Sequence, residues 1–447
     1  MTTSTRQFCD GIRRRDVLRL GSIGLFGSVI NLPHVLESQA RAAAEGKPAR
    51  DTSMILLFLR GGLSTIDTWD IKPHAPAEIR GEFNPISTSV PGIQLCEHLP
   101  LLARQHDKFS VVRSFGHRDS GHGSADHYML TGYPPVSGFN AGLNPNNQQP
   151  CMGAVLAREL GPRGGVPPYV GLPKLHPSAG SSYLGPAHAP FGVNADPSAP
   201  DFAVPDLAPP VTVSGHQLAN RRALLSRINR LEQTAEVAAN RGASALRTYQ
   251  QKAFDLMTSD ATKAAFDLTQ ESDRLRDDYG HHTLGQSCLM ARRLVEAGVR
   301  CVLIDHHNWD THYNNFHILK NDLLPHLDSG MATLLRDLQD RGMLDSTLVL
   351  VTGEFGRTPR INAQAGRDHW GPSCAVALAG GGVQGGRIIG ASDEHAGRPA
   401  TTPHGPEDLI ATVYHAMGVE SDTEYRTPEG RPMPIVPGNG RVIGGLF

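Results

Sequence analysis

The sequence predicts an α/β fold: a doubly wound, mostly parallel sheet with helices on both faces. Uninterrupted apolar runs such as Met54–Leu59 and Thr347–Val351 suit strands buried on both sides. Helical patterns alternate with such runs, and the order helix, Gly298, strand Val299–Ile304 is the unit from which parallel sheets are built. Polar side chains gather where the runs stop, which is the edge where open α/β sheets bind ligands.

At 447 residues the chain exceeds the usual ~100–200 residues of one domain, so length allows one large core with an insertion or two domains. A net charge of −2 and a pI near 6.9 exclude electrostatic capture of nucleic acid or of an anionic membrane surface. With 48 Gly and 33 Pro but only 6% aromatics, the chain reads as a loop-rich α/β enzyme rather than a coiled coil or a disordered segment. The cysteines show no CxxC spacing, which argues against a zinc ribbon; Cys288 and Cys301 read as buried small hydrophobes rather than disulfide partners. Several histidines fall in tight groups, which points to metal or acid–base chemistry.

Residues 1–44 read as an export signal. Arg14 and Arg15 precede a weakly apolar stretch, Leu20–Leu32, and Ala40–Ala44 supplies small residues for cleavage. Gly and Pro33 interrupt that stretch, which is too short for the ~20 residues of a comfortable span, so no stable membrane span is expected. The folded domain is expected over 45–447.

Strand Met54–Leu59 delivers the turn Arg60–Asp70, where Ser64 is a candidate substrate contact and Asp67 either a metal ligand or a helix cap. Strand Phe109–Arg113 leads to His117, His122 and His127. These do not share a helical face, so His122, at the helix start, is the one assigned to the site. Ser120 or Ser124 stands where a nucleophile would meet an anion at a helix N-terminus; both also suit plain caps. Loops fill 134–210, and a helical insertion is expected at about 214–297, including the amphipathic pattern Ala219–Leu231.

The strand Val299–Ile304 ends at Asp305–His312. Asp310 and His312, two residues apart, can chelate one ion, while at most one of His306 and His307 can join. A helix carrying Leu323, Leu327, Met331 and Leu338 follows. Strand Thr347–Val351 then presents Glu354, and the loops after it carry Arg357, Arg360, Asp368 and His369. Clustering these charges suits a metal or an anion; the alternative is an ion-pair network bracing two loops. Cys374–Leu378 is expected as a buried strand at the far side of the sheet, and Asp408–Met417 as a closing helix.

Together the paired arginines, the turn Arg60–Asp70, His122 with Met129–Gly132, Ala291–Gly298, Trp309–His312, Gly353–Arg360 and Gly366–Trp370 resemble the exported, sulfatase-like family called domain of unknown function 1501. The resemblance spans essentially the whole mature chain. It implies an alkaline phosphatase-like core and a metal site at the strand edge, held by Asp67, Asp310, His312, Glu354, Asp368 and His369. The sulfatase signature of Cys or Ser followed by Pro and Arg is absent, and His122 stands where related phosphodiesterases carry a threonine nucleophile. The expectation is an exported, periplasmic or extracellular, metal-dependent hydrolase of phosphate, sulfate or related esters, carried by the twin-arginine machinery. Its cofactors would be divalent ions such as zinc, calcium or manganese, and its substrate a small or polymeric anionic ester. His122, Ser120 and Arg357 would be catalytic, with Arg360 and Ser64 binding substrate. The alternative is a non-catalytic exported binding or assembly protein that retains the fold.

Overall fold

Met54 to Leu59 are apolar at every position because both faces of their strand are covered. The computed structural model describes residues 51–140, 142, 148–163, 165–207, 220 and 259–447. Its main sheet has eight strands: β1 (Ser53–Leu59), β2 (Phe109–Phe115), β3 (Tyr169–Leu172), β4 (Phe191–Gly192), β5 (Cys301–His306), β6 (Thr347–Thr352), β7 (Cys374–Ala379) and β8 (Ile388–Ile389). Their order is β8-β2-β7-β6-β1-β5-β3-β4. All pairings are parallel except those of β7, which runs antiparallel to both β2 and β6.

The period-2 alternation of a strand sorts its side chains into two cores. Ile55, Leu57 and Leu59 face a layer formed by α3 (Asp260–Phe266), α4 (Asp273–Tyr279), α5 (Thr283–Glu296) and α6 (Leu324–Asp340). Met54, Leu56 and Phe58 face α1 (His122–Thr131), α2 (Met152–Glu159) and α7 (Pro406–Met417). The sheet is thus wound on both sides, as the sequence indicates.

One expectation is corrected. Cys374–Leu378 does not lie at the far side of the sheet; β7 sits inside it, between β6 and β2. A fully apolar run encodes burial but neither neighbour nor direction. The last part of the stretch expected as an insertion is α5, whose Leu284, Cys288, Leu289 and Leu294 pack in the core beside β1 and β5, so it belongs to the sheet's own helix layer. Residues 214–258 of that stretch, apart from residue 220, lie outside the described residues, as does the export signal with Arg14 and Arg15. No helix among the described residues is long and apolar enough to cross a membrane.

His127, on α1, is fully buried in one neutral tautomer. Its Nδ1–H donates to the Tyr133 carbonyl at 3.0 Å, and its Nε2 accepts the Gln148 N–H at 3.1 Å. Burial pushes its pKa from an ordinary 6.5 down to about 4. A protonated ring would have to abandon the Gln148 bond, so the stabilisation is complete above pH 6.5 and fades as pH falls towards 4. Chemical denaturation across that range should show stability falling more steeply in the wild type than in His127→Gln; equal slopes would contradict this.

Candidate metal centre

Strands β1, β5 and β6 stop side by side, with Leu59 beside His306 and Phe58 beside Thr352, so the loops that leave them must cross at close range. Glycine makes the crossings possible. Gly61 has φ +121°, and a Cβ there would lie 2.4 Å from the Asp310 nitrogen. A Cβ on Gly366 would lie 1.9 Å from the His312 carbonyl oxygen.

The crossing loops turn three imidazoles onto one carboxylate. Asp310 Oδ1 is 3.1 Å from His312 Nε2 and 3.0 Å from His369 Nε2, and these two nitrogens are 2.9 Å apart. On the other side, Asp310 Oδ2 is 3.2 Å from His122 Nε2. Fully buried Phe355 supports the ring planes of His122 and His369, with centroids 5.1 and 4.4 Å away.

Partners behind the rings fix which nitrogen holds the proton. His369 Nδ1 faces the Ser120 carbonyl at 2.9 Å, and a carbonyl can only accept. His312 Nδ1 faces Asp368 Oδ1 at 2.8 Å, and His122 Nδ1 faces Glu354 Oε1 at 2.7 Å. Each neutral ring therefore donates from Nδ1 and turns the Nε2 lone pair towards Asp310. Lone pairs 2.9 Å apart, on His312 and His369, repel unless a proton or a cation lies between them. The spacing fits a cation, since metal–ligand bonds of ~2.0–2.2 Å give ligand–ligand edges of roughly 2.9–3.5 Å. Among the described residues, His122, Asp310 and His369 form the group of His, Cys, Asp or Glu ligand atoms close enough to hold an ion. His312 joins this group through its contacts with Asp310 and His369.

The electrostatics agree with this arrangement. Burial pushes the Asp310 carboxyl up, but its 2.5 Å bond with the Arg357 guanidinium and that group's charge outweigh this and hold it at about 2. Asp310 is therefore an anion at any ordinary pH. Glu354, fully buried, is pushed above the usual carboxylate range by burial and then by the charge of Asp126.

Several expected roles change. Glu354 is not turned to the ion position: both its oxygens accept the Gly61 N–H, at 2.9 and 3.0 Å, and Oε1 also holds His122 from behind. Asp368 faces His312 Nδ1 in the same way, so both carboxylates orient imidazoles of the cluster. Asp67 stands apart from the centre. Its Oδ1 accepts from Arg367 Nη2 at 2.8 Å, and its Oδ2 from Arg367 Nε at 2.7 Å, Asn315 at 2.9 Å and Ser64 Oγ at 2.6 Å. A metal at Asp67 would have to displace a buried guanidinium. Ser64 is 1% exposed and committed to Asp67, which removes it from substrate contact.

Arg357 is buried and turns most of its donors into the protein. Its Nε donates to Gly62 O at 3.0 Å, its Nη1 to Arg367 O at 3.0 Å, and its Nη2 to Gly61 O and Asp310. Ser120 lies behind His369, on its Nδ1 side, and its Oγ accepts the Gly371 N–H at 2.9 Å. It positions that ring and does not face the centre. Arg360 is exposed on the loop after β6. His122, expected as a catalytic group, stands with His312 and His369 around Asp310. Sequence reasoning missed Arg367, although the motif Gly366–Trp370 contains it, and missed the Ser120 carbonyl, which no side chain signals.

Solved structures similar to this chain share little sequence with it. The lipoteichoic acid synthase LtaP from Listeria monocytogenes is 10% identical, with 83% of this chain and 73% of that one covered and a TM-score of 0.38. The PsFucS1 sulfatase from Pseudoalteromonas sp. is 13% identical, with 92% and 76% covered and a TM-score of 0.40. The phosphonate monoester hydrolase SpPMH from Silicibacter pomeroyi is 13% identical, with 88% and 75% covered and a TM-score of 0.34. No curated protein matches the chain. Residues 51–447 match the family described as Protein of unknown function (DUF1501), and the chain belongs to that family.

Proposed function

We propose that this protein is an exported, metal-dependent hydrolase of phosphate, sulfate or related esters. The observation that carries the reading is the convergence of three Nε2 lone pairs on Asp310, each ring held from behind at Nδ1 by an acceptor. Nitrogen-rich donors of this kind suit zinc or manganese better than calcium, which prefers oxygen alone. A metal bound there would supply Lewis acidity to an ester oxygen. His122, His312 and Asp310 have side chains 39%, 37% and 42% exposed, so a substrate can reach the centre from solvent without a deep pocket. Glu354 and Asp368 keep the rings aimed, and Arg357 keeps Asp310 ionised. No side-chain hydroxyl among the proposed site residues faces the centre, which favours direct attack by water over a covalent serine intermediate.

One observation favours a second reading, a non-catalytic scaffold: Arg357 spends its donors inside the protein, leaving the anion clamp expected of it unfilled. Purified protein reloaded with zinc or manganese should hydrolyse nitrophenyl phosphate, a phosphodiester or nitrophenyl sulfate. Stoichiometric metal with no turnover on any of them would favour the scaffold. Export through the twin-arginine machinery is part of the proposal, and replacing Arg14 and Arg15 by lysine should retain the protein in the cytoplasm.

A further inference from the structure

His369 belongs to a short segment, Asp368–Gly371, against which three loops pack, and each of those loops carries an exposed arginine. The first follows β6: the Thr358 N–H donates to the Asp368 carbonyl at 2.9 Å, and Arg360 stands two residues further on. The second follows β2. There the His117 N–H donates to the Gly371 carbonyl at 2.9 Å, and a Cβ on Gly371 would lie 2.2 Å from the Asp119 carbonyl oxygen, so Arg118 sits between two contacts with the segment. The third is the hairpin after β8, in which Ser392 pairs with Pro399; its Gly397 carbonyl accepts from Trp370 Nε1 at 2.7 Å, and Arg398 is the next residue. The first and third loops also meet, since a Cβ on Gly397 would lie 3.5 Å from Pro359 Cγ.

These guanidiniums are not spent inside the protein, as that of Arg357 is. Among the described residues the Arg118 and Arg360 side chains make no hydrogen bond or ion pair. Arg398, 80% exposed, has Asp393 Oδ2 at 3.6 Å. The acids nearby are largely committed to local donors: Asp119 Oδ1 accepts from the Gly121 N–H and Ser124 Oγ, Asp393 Oδ1 accepts the Gly397 N–H, and Asp368 Oδ1 faces His312 Nδ1. Glu394, 85% exposed with His395 3.9 Å away, is the opposing charge at the tip of the hairpin. A lone exposed guanidinium holds a single anion weakly, because water competes and salt screens. Guanidiniums on separate loops reinforce one another only for a ligand long enough to touch more than one of them.

We propose that Arg118, Arg360 and Arg398 form a cationic rim around the imidazole centre that binds a polymer carrying repeated sulfate or phosphate ester groups, in preference to an isolated monoester. That this polymer is the substrate rests on the hydrolase reading; that it binds does not. The chain's net charge of −2 supplies no long-range attraction, so binding comes from the rim alone.

The full-length mature protein, loaded with zinc, would be titrated calorimetrically with dextran sulfate, phosphorylated dextran and neutral dextran. The charged dextrans should bind and neutral dextran should not, with affinity falling about tenfold or more between ~0.05 and ~0.3 M salt; the tighter of the two identifies the ester group. The triple variant Arg118→Gln, Arg360→Gln, Arg398→Gln should keep its Tm and lose about tenfold or more in affinity. Glu394→Gln should bind more tightly, and Arg426→Gln, an exposed arginine whose neighbour Tyr425 bonds to Glu159 at the end of α2, should bind as the wild type does. His312→Ala should lose the metal and any turnover yet still bind the charged dextran, so failure of the hydrolase reading and failure of the rim give different results. The proposal is overturned if neither charged dextran binds, if neutral dextran binds equally well, or if the triple variant binds like the wild type.

Discussion

His312→Ala is expected to abolish the proposed metal binding while leaving the fold intact. The His312 side chain is 37% exposed and its rear partner Asp368 is 56% exposed, so alanine leaves no buried charge behind and the Tm should hardly move. Metal retention should collapse. Loss of a partner behind a ligand already costs about 10–100-fold in affinity, and loss of a ligand should exceed that. Any esterase activity should fall with it. Metal analysis after gel filtration, beside a melting curve of the same sample, checks both halves. A variant that keeps stoichiometric metal would remove His312 from the ligand set.

Asp67→Ala should do the reverse. Its carboxylate and the Arg367 guanidinium are both fully buried and joined through two bonds, so alanine strands a buried cation. Removing one partner of such a pair costs about 3–5 kcal/mol, a large share of the stability of an ordinary domain. The Tm should drop sharply, while whatever protein remains folded still binds metal. The double variant Asp67→Leu, Arg367→Met should recover much of the loss, because it removes the unpaired charge as well. If instead Asp67→Ala melts like the wild type but releases metal, Asp67 is a ligand and the assignment made from its hydrogen bonds fails.

These two variants mark how far the sequence could be read. That Asp310, His312 and His369 meet was legible, because they follow strands that end at one edge of the sheet, where open α/β sheets gather polar side chains. What a motif cannot show is which side of an imidazole faces its neighbour. Glu354 and Asp368 therefore looked like ligands, although they bond to Nδ1 on the far side of the rings. Asp67 misled for a related reason: its partner Arg367 is 300 positions away, and a turn rich in Ser, Thr and Asp looks the same whether it meets a metal or a guanidinium. The Ser120 carbonyl that orients His369 was beyond reach, since backbone atoms carry no residue signature. The strands were clear from their apolar runs. The reversed direction of β7 was not, because burial on both faces leaves the same pattern whichever way a strand runs.

X-ray absorption at the metal edge of the purified protein tests the central claim most directly. The account predicts one zinc or manganese per chain, with the outer-shell scattering of several imidazole rings and one carboxylate, and loss of the imidazole contribution in His312→Ala and His369→Ala. A protein that holds no stoichiometric metal after reloading, or one whose metal is surrounded by oxygen alone, would contradict it.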